Sequence, residues 1–506
     1  MTSSDKSDRA NFEAALLALG LDRAGAVGLQ AQLGAALRGM ILSGAARPGQ
    51  RLPASRTLAR DLGLSRATTL GVYDQLLAEG YVETRQGAGT FVAADLPPRP
   101  ALATDAPPAA RVSRGADAGR ASGGTAGSAP AITDVRPAEP MPADGRPRPF
   151  DPGLPDMARF PHRHWARQLE HAWRDPEPAL LGRADPLGWL ALRAAIAAHL
   201  GAWRGMHCRA AQVFVTSGSG EAFDLLARLL PPAARVHVEA PCYGPMRDTL
   251  EAAGHLCAPL AVDDEGLDPA GLSSRAAAVV VTPSRQYPLG MTMPLGRRLA
   301  LLDWAAEGDR LVIEDDYDSE FRFAGAPLPA MASLEPGRVV YVGSFSKLLS
   351  PTLRLGYVVL PAALVDHAAK IRAQHPGSAS LVAQPALARF METGDFAIHL
   401  RRMRRLYGQR QRHLLQLLRS RLDGWLVPQD AGSGMHLVCR PGERLDGRSD
   451  RDIAAAAQEA GIDCRALSSY PLAPEGLNGL VLGFSAFDEA QLTRGVEILT
   501  QVLTEG

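Results

Sequence analysis

The chain has 506 residues, 46% of them hydrophobic and 21% charged, with 54 basic side chains against 54 acidic ones. That length exceeds one ordinary core, so two or three domains are expected, and the zero net charge excludes a surface that is basic throughout. No run approaches the roughly 18 apolar residues of a membrane span, and the polar first ten residues lack the apolar stretch of a secretory signal. A soluble, cytoplasmic protein without a membrane partner is expected. Cys208, Cys242, Cys257, Cys439 and Cys464 form no CxxC pair and no metal-ligand spacing, which reads as reduced core thiols and no metal.

Residues 1–92 carry helical periodicity, with the compact part at 25–92. Leu29–Leu42 places Leu33, Leu37 and Ile41 on one face, and Gly44 with Pro48-Gly49 ends that helix. Leu52-Pro53-Ala54-Ser55-Arg56 opens a second helix that buries Leu58, Ala59 and Leu62. Gly63 makes a turn, Ser65 caps a third helix, and Val72, Leu76 and Leu77 continue its buried stripe. Two short helices about a tight turn, the second opening on polar and basic residues, predict a helix-turn-helix. Its start, Ser65-Arg66-Ala67-Thr68-Thr69, is assigned to the DNA major groove, with Arg66 on guanine or phosphate and Thr68 and Thr69 on phosphates or thymine methyls. Gly80–Val92 alternates around a Gly-rich turn, so it reads as a β-hairpin wing. Arg85, Gly87 and Gly89 would carry it to the DNA backbone or minor groove, and Arg56 supplies a further contact. Seven arginines against four acids leave residues 29–92 at +3, the uneven charge that a DNA-binding head needs.

Residues 93–149 are dominated by Ala, Pro, Gly, Asp and Arg. Such text cannot bury enough apolar surface to offset its ordering entropy, so it reads as a flexible linker. From Phe150 to the end at 506, apolar runs such as Val213–Val215, Ala277–Val281 and Val339–Val342 alternate with helical stretches. This predicts an α/β domain with a mainly parallel sheet over about 150–385. A small part over about 386–506 opens on a long helix from Phe396 to Arg419 and closes as α+β.

Four segments of that domain carry chemistry. Lys347 follows an apolar strand among small hydroxyls. A desolvated lysine there loses its proton and becomes nucleophilic, while Ser344, Ser346 and Arg354 can hold a phosphate beside it. A strand at 311–314 ends in Asp315-Asp316-Tyr317, and a carboxylate there can keep a heteroaromatic ring nitrogen protonated. The strand–turn–helix around Gly218-Ser219-Gly220 offers backbone N–H groups to phosphate. Tyr243 can stack on a ring. Together these meet the needs of pyridoxal 5'-phosphate (PLP).

On these residues the chain resembles two known groups. LPASRTLARDLGLSRATTLGVYDQLLAEGYVETRQGAGTFV resembles the GntR-type winged helix-turn-helix, and residues 150–500 resemble fold-type I aminotransferases. TPSRQYPLG, IEDDYDSEFRF, VGSFSKLLSPTLRLGYVVLP and HLRRMRRLYGQR resemble signatures of the MocR subfamily, which joins the two. The resemblance implies an aldimine at Lys347, a pyridine-nitrogen partner at Asp315 and a hydrogen bond from Tyr317 to the cofactor O3′. It further implies phosphate contacts from Gly218, Ser219, Ser344, Ser346 and Arg354, stacking by Tyr243, and a head-to-tail homodimer.

Three departures from the family pattern bear on function. Arg285 stands where the family has histidine and adds a cation at the cofactor edge. Arg183 stands where a tyrosine reaches the partner subunit's phosphate. Gly479–Phe484 lacks the arginine that clamps a substrate α-carboxylate. The expected function is a transcription regulator binding double-stranded DNA at half-sites and sensing PLP, or an amine without the usual carboxylate geometry. The alternative is a working aminotransferase carrying a DNA-binding head.

Overall fold

The computed structural model describes residues 21–23, 28–42, 45–85, 89–93, 147–182, 185–323, 328–375, 379–430, 432–445 and 447–505. In the head, helices α1 (Leu29–Leu42), α2 (Ser55–Asp61) and α3 (Arg66–Ala78) precede strands β1 (Val82–Arg85) and β2 (Gly89–Val92). Gly63, at φ +62°, turns the chain between α2 and α3. Ser65 caps α3, its Oγ accepting from the Thr68 N–H at 3.0 Å. Leu33, Leu37 and Ile41 pack with Leu58, Val72 and Leu76.

Two expectations for α3 are corrected. Leu77 is 40% exposed, and Tyr73 takes its place in the core, donating its hydroxyl to Pro53 O at 2.7 Å. Thr69 is fully buried, with its hydroxyl on Ser65 O. Helical spacing explains both, because residues 69, 72, 73 and 76 share one face and residue 77 falls off its edge. Gly44 and the wing-tip Gly87 lie outside the described residues.

The body is built on an eight-stranded sheet. In chain order its strands are β3 (Val213–Thr216), β4 (Arg235–Ala240), β5 (Leu256–Asp263), β6 (Gly266–Leu267), β7 (Ala278–Val281), β8 (Leu311–Asp316), β9 (Val339–Ser344) and β10 (Gly356–Val359). Across the sheet the order is β3-β10-β9-β8-β7-β4-β5-β6. The run from β9 to β5 is parallel, whereas β10 lies antiparallel to both β9 and β3. Both faces are covered, which is why Ala278–Val281 is apolar at every position. Val279 and Val281 enter one core and Ala278 and Val280 the other. A four-stranded antiparallel sheet, β11 (Leu426–Pro428), β12 (His436–Pro441), β13 (Arg465–Ala466) and β14 (Leu480–Gly483), follows in the order β11-β12-β14-β13.

Head and body share apolar contacts. Leu295 and Leu299, on helix α4 (Leu295–Ala306), join the head's core beside Tyr81 and Val82. Between them buried Arg298 donates to Pro283 O (2.7 Å), Met293 O (2.9 Å) and Pro329 O (3.0 Å). These bonds tie α4 to both ends of the 283–293 loop. No helix among the described residues is long and apolar enough to cross a membrane.

Candidate cofactor site and DNA-binding head

The site lies at the carboxyl ends of the parallel strands, where open α/β sheets place their ligands. Lys347 follows β9, and its Nζ donates to Gly153 O at 2.6 Å. Burial pulls its ammonium pKa down and Arg465 pulls it further, with Asp318 and Asp151 opposing. The amine is therefore biased toward its neutral, nucleophilic form.

At the end of β8, alternation separates two carboxylates. Asp316 turns to an ion pair with buried Arg204 (3.0 Å), and accepts from Tyr341 (2.5 Å) and Ser319 (2.7 Å). Asp315 turns the other way, and its charge acts on Tyr243. Burial lifts its carboxyl to about 7, with Asp316 and Glu239 adding to the shift. Tyr317 accepts from Arg285 Nη1 at 3.2 Å. Arg285 is itself buried; it also meets Asp318 (3.5 Å) and donates to His436 O (2.8 Å). Burial of the His436 ring holds it well below the usual imidazole range, and the Arg285 charge adds to that shift.

The remaining sequence-predicted residues divide by position. Gly218, at φ +81°, leads into a helix over Ser219–Leu229, and Ser219 at its start lies beside Tyr243. Gly220 is exposed in the first turn. Ser344 Oγ accepts from the Ser346 N–H at 3.1 Å. Arg354 is exposed in a left-handed conformation, φ +50°, and its charge also reaches Tyr243. Arg183 lies outside the described residues. In the head, Arg56, Ser65 and Arg66 are exposed, Thr68 is tied to Ser65 Oγ (2.7 Å), and buried Thr69 is withdrawn from any DNA contact. Arg85 pairs with Glu83 at 2.7 Å and lies over the Phe91 ring, while Gly89 sits at φ +111° where the hairpin resumes.

Five site residues escaped the sequence reading. Tyr287 is the hub of an aromatic cluster, its ring centroid 5.4 Å from Tyr317, 5.9 Å from Tyr243 and 6.0 Å from His436. It stands inside the TPSRQYPLG segment, where only Arg285 drew attention. Gly153 and Glu239 stand near residues that were read, Phe150 and Tyr243. His436 and Arg465 carry no local signal; only pairing in the small sheet brings them here.

The donor set fits PLP. Burial biases Lys347 toward its neutral form, and no hydrogen-bond donor among the described residues reaches the Asp315 carboxylate, so a protonated ring nitrogen would relieve its burial. Glu239 Oε1 is buried without a hydrogen-bond partner among the described residues. Its carboxyl is lifted to about 7 by burial, against bonds from Thr282 and Gln286.

Residues 29–92 match the bacterial regulatory proteins of the gntR family, and residues 163–498 match aminotransferase class I and II. The chain is 38% identical over 484 residues to a probable rhizopine catabolism regulatory protein, MocR, of Rhizobium meliloti, covering 95% of this chain and 94% of that one. It is 31% identical over 461 residues to the HTH-type pyridoxine biosynthesis transcriptional regulator PdxR of Corynebacterium glutamicum, covering 91% and 93%. The kynurenine aminotransferase of Pyrococcus horikoshii, solved with PMP, aligns at a TM-score of 0.63 and 26% identity, covering 70% of this chain and 90% of that one. The chain therefore belongs to the MocR-type gntR-family transcription regulators, with a helix-turn-helix head on an aminotransferase-like body.

Proposed function

We propose that the protein regulates transcription as a PLP-dependent homodimer, with Lys347 holding the cofactor and PLP itself or an amine acting as effector. The observation that carries this reading is the convergence of Lys347, Asp315, Tyr317 and Tyr243 at one set of strand ends, in a chain whose head is a helix-turn-helix. Bound there, PLP would supply an electrophilic carbonyl carbon and an electron-withdrawing ring. Asp315 would keep the ring nitrogen protonated, Tyr317 would orient the phenolic side, and Tyr243 would cover one ring face. Ser219, Ser344, Ser346, Arg354 and the Gly218 turn would receive the phosphate.

The contact between head and body supports a route to DNA. The 283–293 loop carries Arg285 and Tyr287 at the site, and Arg298 ties both of its ends to α4, which packs on the head. An effector with unequal affinity for two positions of that loop would shift the heads, and differential affinity is the only means by which a ligand can do so. In a head-to-tail dimer the two heads would engage two half-sites. The test is cofactor capture: wild-type protein should gain the visible absorbance of lysine-bound PLP and, after borohydride reduction, carry the added mass on the peptide containing Lys347. Equal capture by Lys347→Ala would overturn the proposal.

A further inference from the structure

The sequence of β14 lacks a carboxylate-clamping arginine, but the small sheet places an arginine beside the gap. Arg465 pairs directly with Val481 across the antiparallel β13–β14 ladder, and Val481 pairs with Val438 of β12. Directly opposed residues of antiparallel strands share a face, so Val438, Val481 and Arg465 form one row. Val438 and Val481 pack with Leu289 and Tyr470, and Tyr287 lies against the same group. Tyr287 in turn meets Tyr243, Tyr317 and His436. The alternate residues Leu437, Leu480 and Leu482 enter the main core on the other side. The row ending in Arg465 therefore faces the cofactor residues, and the guanidinium's charge acts on both Lys347 and His436.

Two other cations lie near the site. Arg285 is buried against Tyr317, Asp318 and His436 O. Arg354 lies close enough to Tyr243 for its charge to act there, and it is among the residues proposed to receive the phosphate. Arg465 approaches from the small sheet instead.

We infer that Arg465 is the specificity-determining residue of the effector pocket, holding a carboxylate carried by the amine from β13 rather than from β14. This rests on the proposal that an amine reaches PLP held at Lys347. The displaced clamp selects amino acids whose carboxylate is placed differently from that of an ordinary transaminase substrate. A charge-assisted pair of this kind favours the acid-bearing ligand about ten- to hundredfold.

The experiment titrates PLP-loaded, full-length protein with matched probes and reads visible absorbance. The pairs are glycine with methylamine, β-alanine with ethylamine, and 4-aminobutanoate with propylamine. The same probes are added to Lys347→Ala protein, with the thermal midpoint as a second readout that needs no bond to the cofactor. In the wild type, at least one acid-bearing probe should half-saturate at a concentration about tenfold or more below its matched amine. Arg465→Gln should abolish that advantage, read as the ratio of half-saturating concentrations within each pair so that any change in Lys347 basicity cancels, and Arg465→Lys should restore part of it. Arg465→Gln keeps hydrogen-bonding capacity, and its PLP absorbance confirms that the variant folds. Equal half-saturation within every wild-type pair, or full discrimination retained in Arg465→Gln, would overturn the assignment. Failure of the underlying reading looks different: wild-type protein would gain no visible PLP band, and the assignment would fall with it.

Discussion

Adjacent carboxylates at the end of β8 should respond oppositely to the same change. Asp315→Asn removes the negative charge proposed to face the cofactor's ring nitrogen. A hydrogen bond to a charged group contributes about 1.5–3 kcal/mol, or about ten- to 150-fold in the PLP Kd at 1.36 kcal/mol per decade. Because burial lifts the Asp315 carboxyl to about 7, part of its charge is already neutralised at neutral pH. The expected loss thus falls in the lower part of that range, about ten- to thirtyfold. Asp316→Asn instead breaks a buried ion pair with Arg204 and alters bonds from Tyr341 and Ser319. Stability should fall by about 3–5 kcal/mol, while the PLP Kd of the folded protein is unchanged. Absorbance titration gives the Kd and urea unfolding gives the stability. If Asp316→Asn weakens PLP binding as much as Asp315→Asn does, or if Asp315→Asn leaves the Kd untouched, the face assignment is wrong.

Arg66→Ala should weaken specific DNA binding by about 1–3 kcal/mol. Thr69→Ala should lower the head's stability without changing a contact to DNA, and anisotropy with thermal melting separates the two. Gly153→Ala puts a methyl 3.0 Å from Lys347 Nζ at a φ of +82°, so PLP loading should drop; equilibrium dialysis of the folded variant checks it. Burial raises the carboxyls of Asp315, Glu239 and Asp318 to about 7. As pH climbs from about 4 to about 7 the unfolded chain releases those protons first, so the cofactor-free protein should lose stability. Its thermal midpoint should fall over that window, and the fall should be shallower in Asp315→Asn.

Much of this architecture is legible because burial writes periodic text. The strands at 213, 278 and 339 are apolar on both faces because both faces are covered, and Ser65 announces a cap by its chemistry. Errors arose at the margins of periodicity. Leu77 looks like a core residue by type, yet Tyr73 is better placed to enter the head's core. Residues on the strand ends could be read because each sits beside a turn in the linear sequence. Arg465 and His436 could not, since a ladder register and a 151-residue separation bring His436 to Arg285. Reading β14 alone shows that Gly479–Phe484 has no arginine; the ladder sets Arg465 beside Val481 from the next strand.

The central claim is that cofactor state at Lys347 sets DNA affinity. Fluorescence anisotropy of DNA from upstream of the protein's own gene measures this most directly, using cofactor-stripped, PLP-loaded and PLP-plus-amine protein. The expected result is specific binding whose affinity or salt dependence changes with PLP or with added amine, and a Lys347→Ala protein that binds the DNA but no longer responds. Identical binding curves in all three states, or no binding in any of them, would contradict the account.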